Sequence, residues 1–199
     1  MKGQHLARRV RGVLCAPRRT WAEIATERTT VTALYRDYVV WLAALPAVCG
    51  FVRGSIIGYS SAAFATARVG LANGAGRMIL GYLISLVMVY LMGLIVDGLA
   101  PSFGAQRDAR QAFKTVAYAC TAFWIASIGE LLPVISPLVL TAGAGYSIWL
   151  LFVGLQHAMQ TPRRRAPAYT AVTVLSAVLI SISFLVLRAG ILAATLRFL

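Results

Sequence analysis

Along the chain, long windows without a charge alternate with short polar segments dense in arginine. Two windows are uninterrupted: Met78 to Val96, 19 residues, and Ala168 to Leu187, 20 residues. At 1.5 Å per residue, each is long enough to cross a hydrocarbon core of roughly 30 Å. Tyr38 to Tyr59 is a third window, broken only by Arg53. It is bracketed by Tyr35, Tyr38 and Trp41 at one end and Tyr59 at the other, as interfacial aromatics should be. Val116 to Met159 carries one charge, Glu130, and is too long for a single crossing. Gly129, Glu130 and Pro133, with Pro137 beyond, supply the break, because proline removes a backbone donor and unpaired backbone is tolerated only near water or protein. That stretch splits into Val116 to Leu132 and Pro137 to His157. Continuous apolar runs exclude a β-barrel, whose strands alternate over about ten residues. The pattern predicts an all-α integral membrane protein with five transmembrane helices over residues 38–59, 78–96, 116–132, 137–157 and 168–187. A polar segment, 1–37, precedes them and a short tail, 188–199, follows.

An odd number of crossings puts the termini on opposite faces, and the basic residues then orient the chain. The segment up to Arg36 holds eight Lys and Arg; Arg107, Arg110 and Lys114 lie between spans two and three; Arg163, Arg164 and Arg165 lie after span four. Fourteen therefore fall on one face. Four fall on the other, Arg68, Arg77, Arg188 and Arg197, with Arg53 left inside a span. The expectation is a bacterial inner (cytoplasmic) membrane protein with a cytoplasmic N-terminus and a periplasmic C-terminus. The basic stretch at the start runs into Arg18, Arg19 and Glu23 instead of an apolar core, so no cleavable signal peptide is expected.

Within the first segment, Leu6, Val10, Val13 and Leu14 recur at helical spacing while Arg8, Arg9 and Arg11 occupy the rest, which predicts a basic amphipathic helix. Pro17 ends it. Thr20-Trp21-Ala22-Glu23 reads as a capping box opening a second short helix, and Thr30 as the cap of a turn leading into the first span. Two readings follow. These helices lie in the headgroup layer, with arginines worth about 1 kcal/mol each against anionic lipid and Trp21 as an anchor, or they form a protein-docking surface.

Composition agrees with lipid as the main surrounding. Of 199 residues 59% are hydrophobic and 13% charged, and the mean hydropathy is +0.76, against about 45–50% apolar and 25% charged in soluble domains. The net charge of +13 looks like that of a nucleic-acid protein, but the arginines flank the apolar runs, and Arg163-Arg164-Arg165 reads as a topology anchor. No nucleic-acid partner is expected. Cys15, Cys49 and Cys120 form no CxxC pair.

The order of motifs carries a resemblance. Arg9-Val10, Pro17, Thr20 to Ala25 and Glu27, then tyrosines before span one, then Ile95 to Gly104 with Asp97, Pro101 and Phe103, then Lys114 to Tyr118 entering span three, together resemble the bacterial branch of the Yip (Ypt/Rab-interacting protein) family of small five-span membrane proteins. The resemblance runs from about Leu6 to Leu187. It implies five helices and a cytosolic N-terminus. For eukaryotic members it implies a role in vesicle traffic, which does not transfer to bacteria.

The candidate partner- or lipid-contacting residues are Arg8, Arg9, Arg11, Trp21, Asp97, Pro101, Phe103, Lys114 and Tyr118. Asp97, Pro101 and Phe103 read as a structured turn, with Lys114 or Arg36 as the partner of Asp97. Gly50, Gly54 and Gly58, four residues apart, predict a helix-packing seam, and Pro46 before them a kink. Arg53 lies roughly 22 Å along the helix from Tyr38, close enough to the outer headgroups to snorkel. His5 and His157 stand alone, and no acidic pair or phosphate loop appears, so no catalytic residue, metal or cofactor is expected. The function expected is a non-enzymatic scaffold holding the bilayer and an unknown membrane or cytoplasmic protein, with homo-oligomers open. The alternative is a small transporter or channel past Arg53 and the glycine seam.

Overall fold

The computed structural model describes the backbone of residues 2–61 and 64–197, and the side chains of residues 5–58 and 68–186. Two short helices come first, α1 (Lys2–Cys15) and α2 (Pro17–Thr26), joined at Ala16. Pro17 sits at the first turn of α2, where its missing N–H costs nothing and its fixed φ favours a helix start. The helix therefore begins three residues earlier than the expected capping box. Thr20 lies inside α2, buried against Gly12, while Glu23 pairs with Arg19 at 3.4 Å. The capping-box expectation is corrected on this point. Thr30 does cap the next helix, accepting from the Ala33 N–H at 3.2 Å.

Five helices long and apolar enough to cross a membrane follow: α3 (Val31–Ile57), α4 (Leu71–Phe103), α5 (Ala109–Leu131), α6 (Ser136–His157) and α7, whose apolar part is Ala166–Val186 and whose helix runs to Arg197. A two-stranded antiparallel ribbon, Tyr59–Ser61 with Phe64–Ala67, lies between α3 and α4. The side chains of Tyr59, Arg188 and Arg197, expected at the outer face, lie outside the described residues. Each helix begins before its apolar window because backbone hydrogen bonding extends past the apolar stretch, while α3 and α5 end at Ile57 and Leu131, short of the predicted 59 and 132.

Helix α5 is the centre. Two-thirds of its apolar window (67%) is buried, against 17–33% in the other four. Tyr38 and Thr121 share a buried hydrogen bond of 2.7 Å between α3 and α5, and the Phe123 N–H donates to Ser147 Oγ between α5 and α6. The outward faces carry exposed Leu83, Val87 and Leu94 on α4 and Leu175, Leu179 and Ile182 on α7, the side chains that meet lipid tails. Helix α3 is irregular. It is interrupted at Ala43, one turn before Pro46, whose ring removes a hydrogen bond, and it contains wide turns at Tyr35–Val39 and Val52–Ile57.

The helices are also out of step. The Tyr35 hydroxyl donates to Leu86 O, so the start of α3 lies level with Leu86. Helix α4 continues from there through Leu99, a further stretch of roughly 20 Å at 1.5 Å per residue. A shelf is left above α3 beside α5 and α6, and α1 and α2 pack there.

Candidate functional site

The shelf is where the sequence-predicted residues converge. In α2, Trp21 and Ile24 are fully buried. A Cβ placed on Gly154 of α6 would lie 2.7 Å from the Trp21 ring, so the indole rests directly on α6 backbone, with its edge against Tyr118, ring centroids 6.2 Å apart. Trp21 is thus a core side chain joining α2 to the bundle, not the headgroup anchor the sequence suggested. An enclosed ring of this kind takes about 150–250 Å² of surface out of contact with water. Val13 of α1 is also fully buried, and the Tyr146 hydroxyl donates to Leu14 O at 2.7 Å.

Three charged side chains of this region face inward. Lys114 of α5, 3% exposed, donates to Ile24 O at 2.9 Å, to Glu27 O and to Gln111 Oε1. The ammonium therefore satisfies backbone acceptors left at the end of α2. Gln111 adds a bond to Ala25 O at 2.8 Å. Arg9 of α1 pairs with Glu27, and its guanidinium lies 5.9 Å from the centroid of the Tyr118 ring. Burial works against the charge on Arg9; the hydrogen bond to Glu27 and the nearby acidic groups more than offset it, so its proton is held above the ordinary guanidinium value. Arg8 and Arg11, one residue before Arg9 and two after it, are exposed, as are Arg18 and Arg19 on α2.

Asp97 pairs with Arg107, Oδ2 to Nε 3.3 Å, and not with Lys114 or Arg36. Lys114 is taken by the end of α2, and Arg36 holds its own neighbour Asp37 at 3.0 Å. Phe103 stacks on Tyr169 of α7, centroids 4.7 Å apart at 7°, and the Tyr169 hydroxyl donates to Val96 O. Gly104, at φ +68°, reverses the chain, and the Gln106 N–H reaches Met159 O at 3.0 Å. The turn ties α4 to α7 and joins the loop after α4 to the loop after α6. Pro101 is exposed on it. The N-terminal helices and both Arg-bearing loops consequently share one end of the bundle, with Arg107, Arg110 and Arg163 to Arg165 all exposed there.

The expected glycine seam separates into unlike positions. Gly50 faces the Glu130 carboxylate, 3.4 Å from where a Cβ would stand. Gly54 is buried, and its carbonyl accepts from the Val69 N–H at 3.0 Å. Gly58 lies past the helix end at φ +86°, ψ 167°. The helix widens over Val52–Ile57 and stops there, so Gly50 and Gly54 lie on helical turns and Gly58 lies beyond them. Close approach of α3 to α4 instead uses Gly74, which meets Phe51 and Ser55. Arg53 turns onto its own helix end and donates to Gly58 O. His157 bonds Val153 O at 2.9 Å.

At the foot of α1 a cavity of about 500 Å³ opens between α1, the start of α3 and Tyr118. Its wall includes Arg9, Glu27, Asp37, Tyr38 and Trp41. Glu27, Asp37 and Gln111 were not among the residues expected to form a site. The tyrosines and Trp41 opening α3 are the one sequence signal for this cavity, and they read equally well as interfacial anchors.

The Yip1 domain matches residues 11–185 of this chain. The chain is similar to Inner membrane protein YohC of Escherichia coli K12, 22% identical over 171 residues that cover 85% of this chain and 88% of that protein. It is similar to the same degree to YohC of an Escherichia coli O6:H1 strain. No solved structure matches.

Proposed function

This chain belongs to the Yip1-domain family of multi-pass membrane proteins, and we propose that it is a non-enzymatic scaffold of the bacterial inner membrane, its N-terminus cytoplasmic. Its role is to hold a membrane or cytoplasmic protein against the bilayer. The observation that carries this reading is the locked position of the N-terminal helices. Val13, Trp21 and Ile24 are buried in the bundle, while Arg8, Arg11, Arg18 and Arg19 stay exposed at a fixed place beside the Arg-bearing loops. A basic amphipathic segment that only adsorbed to lipid would gain nothing from a buried Trp21 against Gly154. One attached to the bundle presents its charges in a fixed geometry, as complementary recognition requires. The relatives' printed name, inner membrane protein, supports the location, and the fourteen basic residues predicted for one face support the orientation. The channel reading has less behind it, because Arg53 is occupied at its own helix end and Gly58 lies past that end, off the helix that would line a path.

The test is purification of the tagged full chain from its native membrane in mild detergent, with mass spectrometry of what accompanies it. Deleting α1 and α2 would remove core side chains. The comparison is therefore with a variant carrying Arg8→Ala, Arg11→Ala, Arg18→Ala and Arg19→Ala. A stoichiometric protein lost from that variant is the expected result. The same protein retained, or the chain recovered alone in both cases, contradicts the proposal.

A further inference from the structure

The chain has only six acidic residues against 19 Lys and Arg, yet two of the six, Glu27 and Asp37, line one cavity of about 500 Å³. Beside them is one guanidinium, Arg9, and the remaining wall is largely aromatic and aliphatic, with Leu34, Tyr38 and Tyr118. Each carboxylate is balanced by an arginine, Glu27 by Arg9 and Asp37 by Arg36, and a wall of paired opposite charges suits a zwitterionic ligand. The rings suit its cationic end, since aromatic faces attract cations. Trp41, one turn beyond Asp37 on α3, forms part of the wall and is 65% exposed on a membrane-crossing helix. The rim of the cavity is therefore also lipid-facing surface. Its volume falls within the range of about 300–1,000 Å³ typical of small-molecule sites.

We propose that this cavity seats the headgroup of an ethanolamine phospholipid. The primary ammonium donates to the Asp37 and Glu27 carboxylates, the phosphate faces Arg9, and the acyl chains leave past Trp41. Arg9 has five N–H donors, so its pairing with Glu27 leaves donors to serve a phosphate. Arg36 holds both Asp37 oxygens, at 3.0 and 3.1 Å, but its side chain is 69% exposed, so each oxygen keeps lone pairs that a ligand ammonium can share beside the guanidinium. The headgroup classes separate on these contacts. A choline group can use the rings but has no N–H to donate. A glycerol headgroup brings the phosphate but no cation for the carboxylates. The inference rests on the reading of this end of the bundle as the interaction end, and names a lipid held there.

The experiment is native mass spectrometry of the detergent-purified full chain. It is titrated separately with phosphatidylethanolamine, phosphatidylcholine and phosphatidylglycerol of identical acyl chains, and with soluble phosphoethanolamine as competitor. One ethanolamine lipid per chain is expected, held about tenfold more tightly than the choline lipid, the factor carried by one partly solvated charge-assisted hydrogen bond. Asp37→Asn should erase that preference. Trp41→Ala should weaken all three lipids, and carries the test if Asp37→Asn does not fold. Ser181→Ala, exposed on α7 and outside the cavity, should change nothing. Equal retention of the three lipids, or a preference that survives Asp37→Asn, overturns the proposal. Displacement by soluble phosphoethanolamine at lipid-like concentrations also overturns it, by making the ligand a free solute. None of these results depends on the Arg8, Arg11, Arg18 and Arg19 comparison, so failure here leaves the scaffold reading standing and the reverse also holds.

Discussion

Lys114 joins two parts of the chain that are 87 residues or more apart. Its ammonium reaches backbone acceptors of Ile24 and Glu27, so removing it leaves buried or half-buried carbonyls without a donor, each worth about 1–3 kcal/mol. Lys114→Met keeps the bulk and deletes the charge. It should destabilise the docking of α2 by about that amount, seen as faster protease cleavage between Thr26 and Thr30 while α4 to α7 stay resistant. Cleavage at the wild-type rate would mean that Lys114 is not the link. This contact was not legible from the residues alone. A lysine at the mouth of a membrane span reads as a surface charge, and nothing in its neighbours announces that two α2 carbonyls will cover it. Trp21 misled in the same way, because a tryptophan in a basic amphipathic segment fits a headgroup layer and a bundle core equally well. The one clue was Gly154, a residue without a side chain in the otherwise bulky second half of α6.

Among the elements, α3 departs furthest from its expected form. Apolar length identified it as a helix long enough to cross, and Pro46 located its interruption to within one turn. The four-residue spacing of Gly50, Gly54 and Gly58 suggested one face only on the assumption that the helix continues through all three, and it ends at Ile57. The two end glycines should therefore respond differently to alanine. Gly58 sits at φ +86°, ψ 167°, a region held almost only by glycine, so Gly58→Ala should cost about 1–3 kcal/mol. Gly50→Ala meets only a movable carboxylate oxygen at 3.4 Å and should stay within about 0.5 kcal/mol of wild type. Thermal unfolding of the two variants in detergent compares them directly, and equal losses would restore the seam. The start of α2 makes a related point. Thr20 and Glu23 have the spacing of a capping box, but Pro17 at the first turn pre-sets the helix and leaves them in its interior.

At the scale of the molecule, the number of spans, their order and the gathering of arginines at one end follow from hydropathy and charge, because lipid imposes length and charge asymmetry on any chain that crosses it. The shelf above α3 does not. It arises from the register of Tyr35 against Leu86 and the overrun of α4, which are packing decisions that a single apolar window does not encode. The shelf makes the N-terminal helices part of the fold and fixes where their arginines stand, and the proposed function depends on that attachment. Hydrogen–deuterium exchange on the full chain in lipid nanodiscs tests it most directly. Amides of α2 around Trp21 and Ile24 should exchange as slowly as those of α5, and Gly154→Leu, which fills the seat of the indole, should release α2 alone to fast exchange. Fast exchange of α2 in the wild-type chain, or no change in Gly154→Leu, would contradict a locked N-terminal platform and return these helices to the headgroup layer.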